Sequence, residues 1–135
     1  MSKIAFTLVS PSKSLYSADA DMVIIPAESG DIGVMAGHSP LIGTVRAGTI
    51  IVRNDNQEAR LFVETGFVEV NAKSVIILVE QGILVDDIDK KQAQDLLNQA
   101  VNEFNNSSSE NKPDLKAKLD VAKARLRAVE DPFYK

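Results

Sequence analysis

The 135-residue chain contains no cysteine, and His38 is its single histidine. Without cysteine it has no disulfides, no thiolate nucleophile and no cysteine-based zinc site, which agrees with a reducing compartment. One histidine makes a zinc site only if other ligands join it. The sequence also lacks the Gly-x-Ser-x-Gly, Walker and His-Glu-x-x-His patterns. Nothing in it therefore indicates a catalytic site.

Long apolar runs are absent as well. No segment of the sequence approaches the roughly 18 to 20 apolar residues that a membrane span needs. The N-terminus, MSKIAFTLVS, lacks the apolar core and the small-residue cleavage site of a signal peptide. We therefore expect the chain to stay in the cytoplasm or a cytoplasm-facing compartment, and to associate with a membrane only through partners.

Positive charge is scarce except near the C-terminus. The net charge is −4, yet residues 113–135 carry six basic and four acidic residues. An acidic body repels phosphate backbones, which argues against a nucleic-acid partner. The basic segment is either a solvated helix face or a surface suited to an acidic protein.

The first two thirds of the sequence have the pattern of an all-β domain. From residue 3 to about residue 85, short β-branched runs alternate with turn signals; examples are KIAFTLV, DMVIIP, TIIVR, ARLFVE, FVEVN and SVIILVE. This spacing predicts about ten short strands in an antiparallel sandwich or flattened barrel over residues 1–87. The predicted core residues are Ile4, Phe6, Leu8, Phe62, Phe67, Val70, Ile76 and Leu78. The apolar run 74–80 predicts a strand buried on both faces.

The last third has the helical period. An apolar stripe with spacings of three and four predicts a helix over about 89–104, with Asp89 as N-cap and Gln92 three residues later. Its members are Ala93, Leu96, Leu97, Ala100, Val101 and Phe104. The polar run 105–112 is a connector. A second helix over about 113–130 follows, with the seam Leu115, Leu119, Ala122, Leu126 and Val129, and Pro132 ends it.

The short connector predicts that residues 88–135 form an antiparallel α-helical hairpin. Helices of this length are marginal alone, so the hairpin depends on burying its apolar stripes. We expect the net preference for packing on the sandwich to be small, which makes the hairpin a candidate switch between two positions.

Two groups of carboxylates are candidate cation sites. Asp19 lies close to Asp21, and Asp86 and Asp87 precede Asp89, but neither spacing fits a twelve-residue calcium loop. Solvated turns are the favoured interpretation, and we expect no metal and no cofactor.

Residues 26–41, PAESGDIGVMAGHSPL, form the most constrained segment of the sequence. Prolines fix φ and glycines permit positive φ, so the backbone path of this predicted loop is shaped by Pro26, Gly30, Gly33, Gly37 and Pro40. His38 lies within it, either bonded to local backbone or exposed to dock a partner. The order Pro, Gly-Asp-x-Gly, Gly-His-x-Pro-Leu resembles the epsilon subunit of bacterial F-type ATP synthase, the counterpart of mitochondrial delta.

Further segments support this resemblance over essentially the whole chain. TGFVEV at 65–70 is similar to the family's Gly-Gly-x-x-Glu-Val hairpin, and LRAVE at 126–130 is similar to its last helix. The resemblance implies a non-catalytic rotor subunit that couples gamma to the ring of c subunits, at the cytoplasmic face of the bacterial inner membrane as a peripheral part of the complex.

The resemblance also implies roles for individual residues. Glu28 and Asp31 would face the polar loops of the c ring, and His38, with Met35 and Leu41, would face gamma. In the family the hairpin extends along gamma and blocks ATP hydrolysis, with basic residues of the last helix near an acidic segment of the beta subunits in the alpha/beta catalytic head. Here those basic residues would be Lys123, Arg125 and Arg127.

Some family members bind ATP through an Ile/Leu-Asp-x-x-Arg-Ala motif at the start of the hairpin. This chain reads Ile88-Asp89-Lys90-Lys91-Gln92-Ala93. Gln92 replaces the motif's arginine and supplies no charged fork for a nucleotide, so we expect weak or absent ATP binding through Ile88, Asp89 and Ala93.

The sequence leaves one alternative function open and argues against another. A stand-alone β-sandwich module that self-associates through its hairpin predicts a homo-oligomer, whereas the rotor subunit predicts a stable complex with gamma. A small hydrolase using the carboxylates is disfavoured, because no nucleophile is paired with a base in the sequence.

Overall fold

The computed structural model describes residues 2–108 and 110–130, and within them the chain forms ten β-strands followed by two α-helices. The strands are β1 (Ile4–Val9), β2 (Ser14–Ala20), β3 (Met22–Ala27), β4 (Gly30–Val34), β5 (Leu41–Val45), β6 (Gly48–Asn54), β7 (Gln57–Val63), β8 (Gly66–Val70), β9 (Ser74–Val79) and β10 (Gly82–Leu84). A 3-10 turn at Val85–Asp87 leads into α1 (Lys90–Asn105) and then α2 (Lys112–Glu130). The predicted fold class is confirmed.

The strands form two layers that are joined through β3. One layer has the order β10-β7-β6-β3-β4, and the other has the order β5-β8-β9-β1-β2. Residues 22–24 of β3 pair with β6, whereas Ala27 at its end pairs with Val45 of β5, so β3 passes from one layer to the other. Every pair among the described strands is antiparallel except β1 with β9, which is parallel.

The inward faces of the two layers supply one apolar core. Ile4, Phe6 and Leu8 are fully buried in it, as the alternation of β1 predicted, and Val70 joins them from β8. Phe62 is buried too, but in a separate cluster beneath α2. Alternating side chains of each strand therefore separate an inner face from an outer one.

Three predicted core residues lie on the outer face instead. Phe67, Ile76 and Leu78 are 61%, 44% and 43% exposed. The expectation that strand 74–80 is buried on both faces is wrong, because β9 turns only Val75, Ile77 and Val79 inward. Among the described residues nothing covers the outer face of β8 and β9, so the other half of each strand meets solvent.

The two helices form an antiparallel hairpin around a small apolar seam. Ala100, Leu119 and Ala122 are buried there, and Leu97, Val101 and Phe104 pack against them. The Lys118 ammonium donates to the Glu103 carboxylate at 3.0 Å, which joins α2 to α1 at the surface. Leu96, which the apolar stripe assigned to the seam, is 41% exposed. The predicted helix stop at Pro132 lies outside the described residues.

The hairpin is docked on the sandwich through α2. Ala128 of α2 shares a buried cluster with Phe62 of β7 and Val85 of the 3-10 turn, and Val121 and Ala124 pack against it. The start of α1 is fixed by Asp89, whose carboxylate accepts from the Gln92 amide at 3.1 Å, as the N-cap prediction required.

Candidate functional site

Residues 26–41 are more regular than predicted. β4 runs through Gly30–Val34 and pairs with β3, and β5 begins at Leu41, so the irregular part is residues 35–40. Gly30 and Gly37 have φ of 138° and 89°, conformations that glycine adopts without strain. Gly33 lies within β4 and does not need this freedom. The predicted single loop is therefore a tight β-hairpin followed by a short turn.

Glu28 and Asp31 lie together at the tip of the β3–β4 hairpin. The Thr44 hydroxyl donates to the Glu28 carboxylate, and the Glu28 amide donates to the Thr44 carbonyl at 3.0 Å. Arg46 donates from one guanidinium nitrogen to the Asp31 carboxylate and from another to the Ala27 carbonyl. The tip is thus an exposed polar surface held against β5 by charged hydrogen bonds.

His38 lies in the short turn after β4. Its Nδ1–H donates to the Ser39 carbonyl at 2.6 Å, and its amide donates to the Met35 carbonyl at 3.1 Å. The Gly37 amide donates to the Ala72 carbonyl at 2.8 Å, which fixes this turn to the β8–β9 connection. The imidazole is partly exposed, so it is both bonded to local backbone and accessible from outside.

The outer apolar patch consists of four exposed apolar side chains on β5, β8 and β9, which are Ile42, Phe67, Ile76 and Leu78. Phe67 pairs with Leu78 across β8 and β9, and Ile42 and Ile76 are the register partners of Glu69 on either side. Ile42 is 80% exposed. Met35, in the turn, and Leu41, at the start of β5, add further exposed apolar side chains. Several exposed apolar side chains on one face of a sheet mark an interaction site.

The alternation of side chains along the strands could have revealed this exposed patch from the sequence. Phe67 and Glu69 are two residues apart, so they share a face of β8, and a charged residue indicates the solvent side. Ile76 and Leu78 likewise share their face of β9 with Ser74 and the following Glu80. Apolar content alone assigned these residues to the core, and that assignment was wrong.

The basic residues of α2 divide between two faces. Lys123 and Arg127 are four residues apart and lie side by side on the helix. Both line a cavity of about 220 Å³ between α2 and the β5–β6 turn. The Arg125 guanidinium instead lies 5.1 Å from the centre of the Phe62 ring. In the docked hairpin Arg125 is half-buried against the sandwich, whereas Lys123 and Arg127 are exposed.

The residues at the start of the hairpin have structural roles here. Ile88 packs against the cluster of Phe62, Val85 and Ala128, and Ala93 is 1% exposed. The Asp89 carboxylate caps α1. Ile88 is therefore part of the docking of the hairpin, whereas Asp89 and Ala93 serve the start of α1 itself.

Two of the carboxylates considered as cation ligands have other roles: Asp21 is an ion-pair partner and Asp89 is a helix cap. Asp21 accepts from the Lys3 ammonium at 2.7 Å, and this hydrogen bond lowers the pKa of Asp21. Over residues 2–108 and 110–130, no three acidic or histidine side chains are grouped so as to hold a metal. No helix in the same part of the chain is long and apolar enough to cross a membrane.

Comparison with known proteins agrees with this architecture. Residues 3–85 match the family model described as ATP synthase, Delta/Epsilon chain, beta-sandwich domain. The chain is 36% identical to the ATP synthase epsilon chain of Maricaulis maris, over 94% of this chain and 96% of that one. It is 34% identical to the cyanelle epsilon chain of Cyanophora paradoxa, over 92% and 95%.

Solved structures match the fold at low identity. A chain in the mitochondrial ATP synthase of Euglena gracilis, solved with OSCP, F1 and the c-ring, superposes with a TM-score of 0.86 at 19% identity, covering 96% of this chain and 83% of that chain. A chain in the Tetrahymena thermophila central stalk and c-ring structure gives 0.64 at 15%, covering 94% and 96%. By its sequence matches, this chain belongs to the family of ATP synthase epsilon chains, the non-catalytic rotor-stalk subunits of F-type ATP synthases.

Proposed function

We propose that this chain couples the gamma subunit to the c-subunit ring, with gamma on the outer apolar patch and the c ring at the β3–β4 tip. The exposed patch is the observation that carries the proposal. A rotor joint must transmit torque without slipping, and it needs an extended surface; standard protein interfaces bury roughly 1,200 to 2,000 Å². Phe67, at 61% exposure, is the aromatic anchor such an interface requires.

Gamma would cover the patch and the turn beside the β8–β9 connection. His38 and Met35 lie in this turn, Leu41 begins the neighbouring β5, and the turn is fixed by the Gly37 amide on Ala72. A turn held by its own hydrogen bonds is pre-organised, so docking costs little ordering entropy. This rigidity supports a permanent joint.

The polar tip with Glu28 and Asp31 would meet the c ring. Its carboxylates are exposed but held by Thr44 and Arg46, so their positions are defined before binding. Such charged groups favour a polar, rim-type contact that gives orientation and register. The Euglena and Tetrahymena complexes named above both contain a c-ring, which is consistent with this assignment.

The hairpin would act as a brake on ATP hydrolysis after leaving the sandwich. When α2 undocks, it would carry Lys123, Arg125 and Arg127 away from the sandwich and toward an acidic surface of the alpha/beta catalytic head. The docking cluster centres on the three buried residues Phe62, Val85 and Ala128. An interface this small is compatible with a second position.

As part of such a complex the chain would lie at the cytoplasmic face of the bacterial membrane. Its association with the membrane would then come through the c ring.

Co-purification with gamma tests the coupling proposal. We expect the chain to form a stable complex with gamma, and Phe67→Glu to weaken it by more than tenfold, because the substitution places a charge in the apolar interface. Gln57→Glu adds the same charge on exposed β7 and is the matched control. Gamma binding unaffected by Phe67→Glu, or a homo-oligomer in place of the complex, would overturn the proposal.

A cross-link tests the brake. Ala47 and Ala124 line the same cavity, and the chain has no cysteine, so cysteines introduced at both positions can be joined with a short bis-maleimide. We expect the cross-linked chain, assembled into the complex, to give higher ATP hydrolysis than the single-cysteine Ala124→Cys control treated identically. Equal rates of ATP hydrolysis in the two samples would contradict the proposed inhibition by the hairpin, but not the proposed coupling of gamma to the c ring.

A further inference from the structure

A carboxylate lies in the middle of the outer apolar patch. Glu69 of β8 is the direct register partner of Ile42 on β5 and of Ile76 on β9. Directly opposed residues on one face of a sheet have Cβ atoms roughly 4.5 to 5.5 Å apart, so the two isoleucines flank this carboxylate. Phe67 precedes Glu69 by two residues on the same face of β8, about 7 Å along the strand. Apolar side chains therefore surround Glu69 on three sides.

The Glu69 carboxylate is exposed and has no cationic partner within the described ranges 2–108 and 110–130. The five strands of its layer, β1, β2, β5, β8 and β9, contain no lysine or arginine. The basic residue nearest to Glu69 along the chain is Lys73, which lies in the turn beyond the ends of β8 and β9. In the free chain the charge of Glu69 is therefore solvated by water.

A partner that covers the patch removes this water. A carboxylate that is buried among apolar side chains without a partner is strongly unfavourable, because nothing replaces its hydration. A partner that brings a positive charge to the same point offsets this cost, whereas a neutral or acidic partner surface does not. Glu69 thus makes the patch selective for a partner with a cation at one defined position.

A second copy of this chain does not meet the requirement. If two copies packed their outer faces together, the strands of each would offer the other apolar side chains and a second Glu69. Both carboxylates would then be buried unpaired or beside each other, and either arrangement is unfavourable. The patch therefore favours a different protein over self-association.

We propose that the gamma subunit covers the outer apolar patch with a lysine or arginine placed against Glu69, and that this charge pair fixes the alignment of the joint. The inference rests on the proposed function, because it names the chemistry that gamma presents to the patch. Apolar contact supplies interface area but tolerates sliding, whereas one charge pair within it defines a single register.

The direction of the effect of Glu69→Gln tests the inference, because this substitution keeps the shape of the side chain and removes its charge. With a cation opposite, the variant leaves that cation buried and unpaired, and we expect the dissociation constant for gamma to rise by about tenfold or more. Without a cation there, the variant would bind gamma equally well or more tightly, since a neutral amide is less costly to bury than a carboxylate.

The measurement is a titration of gamma with the full chain, followed by calorimetry. Asp86→Asn removes a charge of the same sign from the exposed 3-10 turn, outside the patch, and should bind like the parent chain. Thermal unfolding midpoints equal to that of the parent chain distinguish an effect on binding from a loss of folding.

Substitution of each lysine and arginine of gamma by glutamine then locates the partner of Glu69. We expect one gamma variant to weaken binding of the parent chain but to have little effect on Glu69→Gln, because the pair is already broken there. Additive losses at every gamma position, or binding by Glu69→Gln that equals or exceeds that of the parent chain, would overturn the charge pair. Failure of the parent chain to bind gamma would instead overturn the proposed coupling, and this inference with it.

Discussion

The guanidinium of Arg125 lies 5.1 Å from the centre of the Phe62 ring, and this contact joins the last helix to β7 of the sandwich. It is formed at the edge of the cluster that docks the hairpin, where Phe62 also packs on Ala128. A cation over an aromatic face contributes about 0.5 to 2 kcal/mol, depending on how far it is removed from water.

Arg125→Gln should therefore loosen the docked hairpin without unfolding the sandwich. We expect faster amide hydrogen exchange in α2 and unchanged exchange in β1 and β9, because the latter belong to the separate main core. Lys91→Gln, which removes a positive charge from exposed α1, is the control. Equal exchange in the parent chain and Arg125→Gln would show that the contact adds nothing to docking.

Gly66 tests the packing of β8 on β9. A Cβ at this position would lie 2.2 Å from the Leu78 carbonyl oxygen and 2.7 Å from a Val79 methyl group, so alanine forces the two strands apart. We expect Gly66→Ala to lower the free energy of unfolding by about 1 to 3 kcal/mol or more. At Gly43 a new Cβ would be 3.9 Å from Val68, an ordinary contact. Denaturant titration of both variants checks the prediction, and equal midpoints would contradict it.

The positions of the strands and helices were predicted better than the face of the sheet on which each side chain lies. Period-2 and period-3.6 patterns placed the strands and helices, and Asp89 was found as N-cap because its cap chemistry is local. The assignment to the core was wrong for Phe67, Ile76 and Leu78. Apolar character normally indicates burial, but these three apolar side chains lie on the exposed outer face of the sheet. The cavity beside Lys123 was not predicted, since α2 and the β5–β6 turn are distant in sequence and come together only when the hairpin docks.

Acid should weaken the hairpin through Glu103. The hydrogen bond from Lys118 holds the pKa of Glu103 below its usual value of 4.5. A lowered pKa in the folded state stabilises that state above the unfolded pKa, and this stabilisation is lost as the pH falls through the folded value. We expect Glu103→Gln to reduce the stability difference between pH 7 and pH 3. Glu110→Gln, in the exposed connector, is the control, and an identical pH profile for both variants would refute the effect.

The N-cap is a further point at which the hairpin can be weakened. Asp89→Ala removes the acceptor of the Gln92 amide and should cost about 1 kcal/mol of stability. Asp89→Asn keeps a capping oxygen and should lose little. Thermal unfolding of the two variants distinguishes them; equal losses would mean that the negative charge of Asp89, and not its hydrogen bond, supports the helix.

A measurement of ATP affinity tests the effect of having Gln92 in place of the motif's arginine. In the docked hairpin Ala93 is buried and the Asp89 carboxylate is occupied by the Gln92 amide, so these positions give a nucleotide no charged partner. We therefore expect calorimetry on the isolated chain to show no sub-millimolar ATP binding. Gln92→Arg introduces a guanidinium on the exposed first turn of α1 and should raise ATP affinity, whereas Gln94→Arg adds the same charge two residues later and should not. Sub-millimolar binding by the parent chain would contradict the prediction, because it would require that the motif function without its arginine.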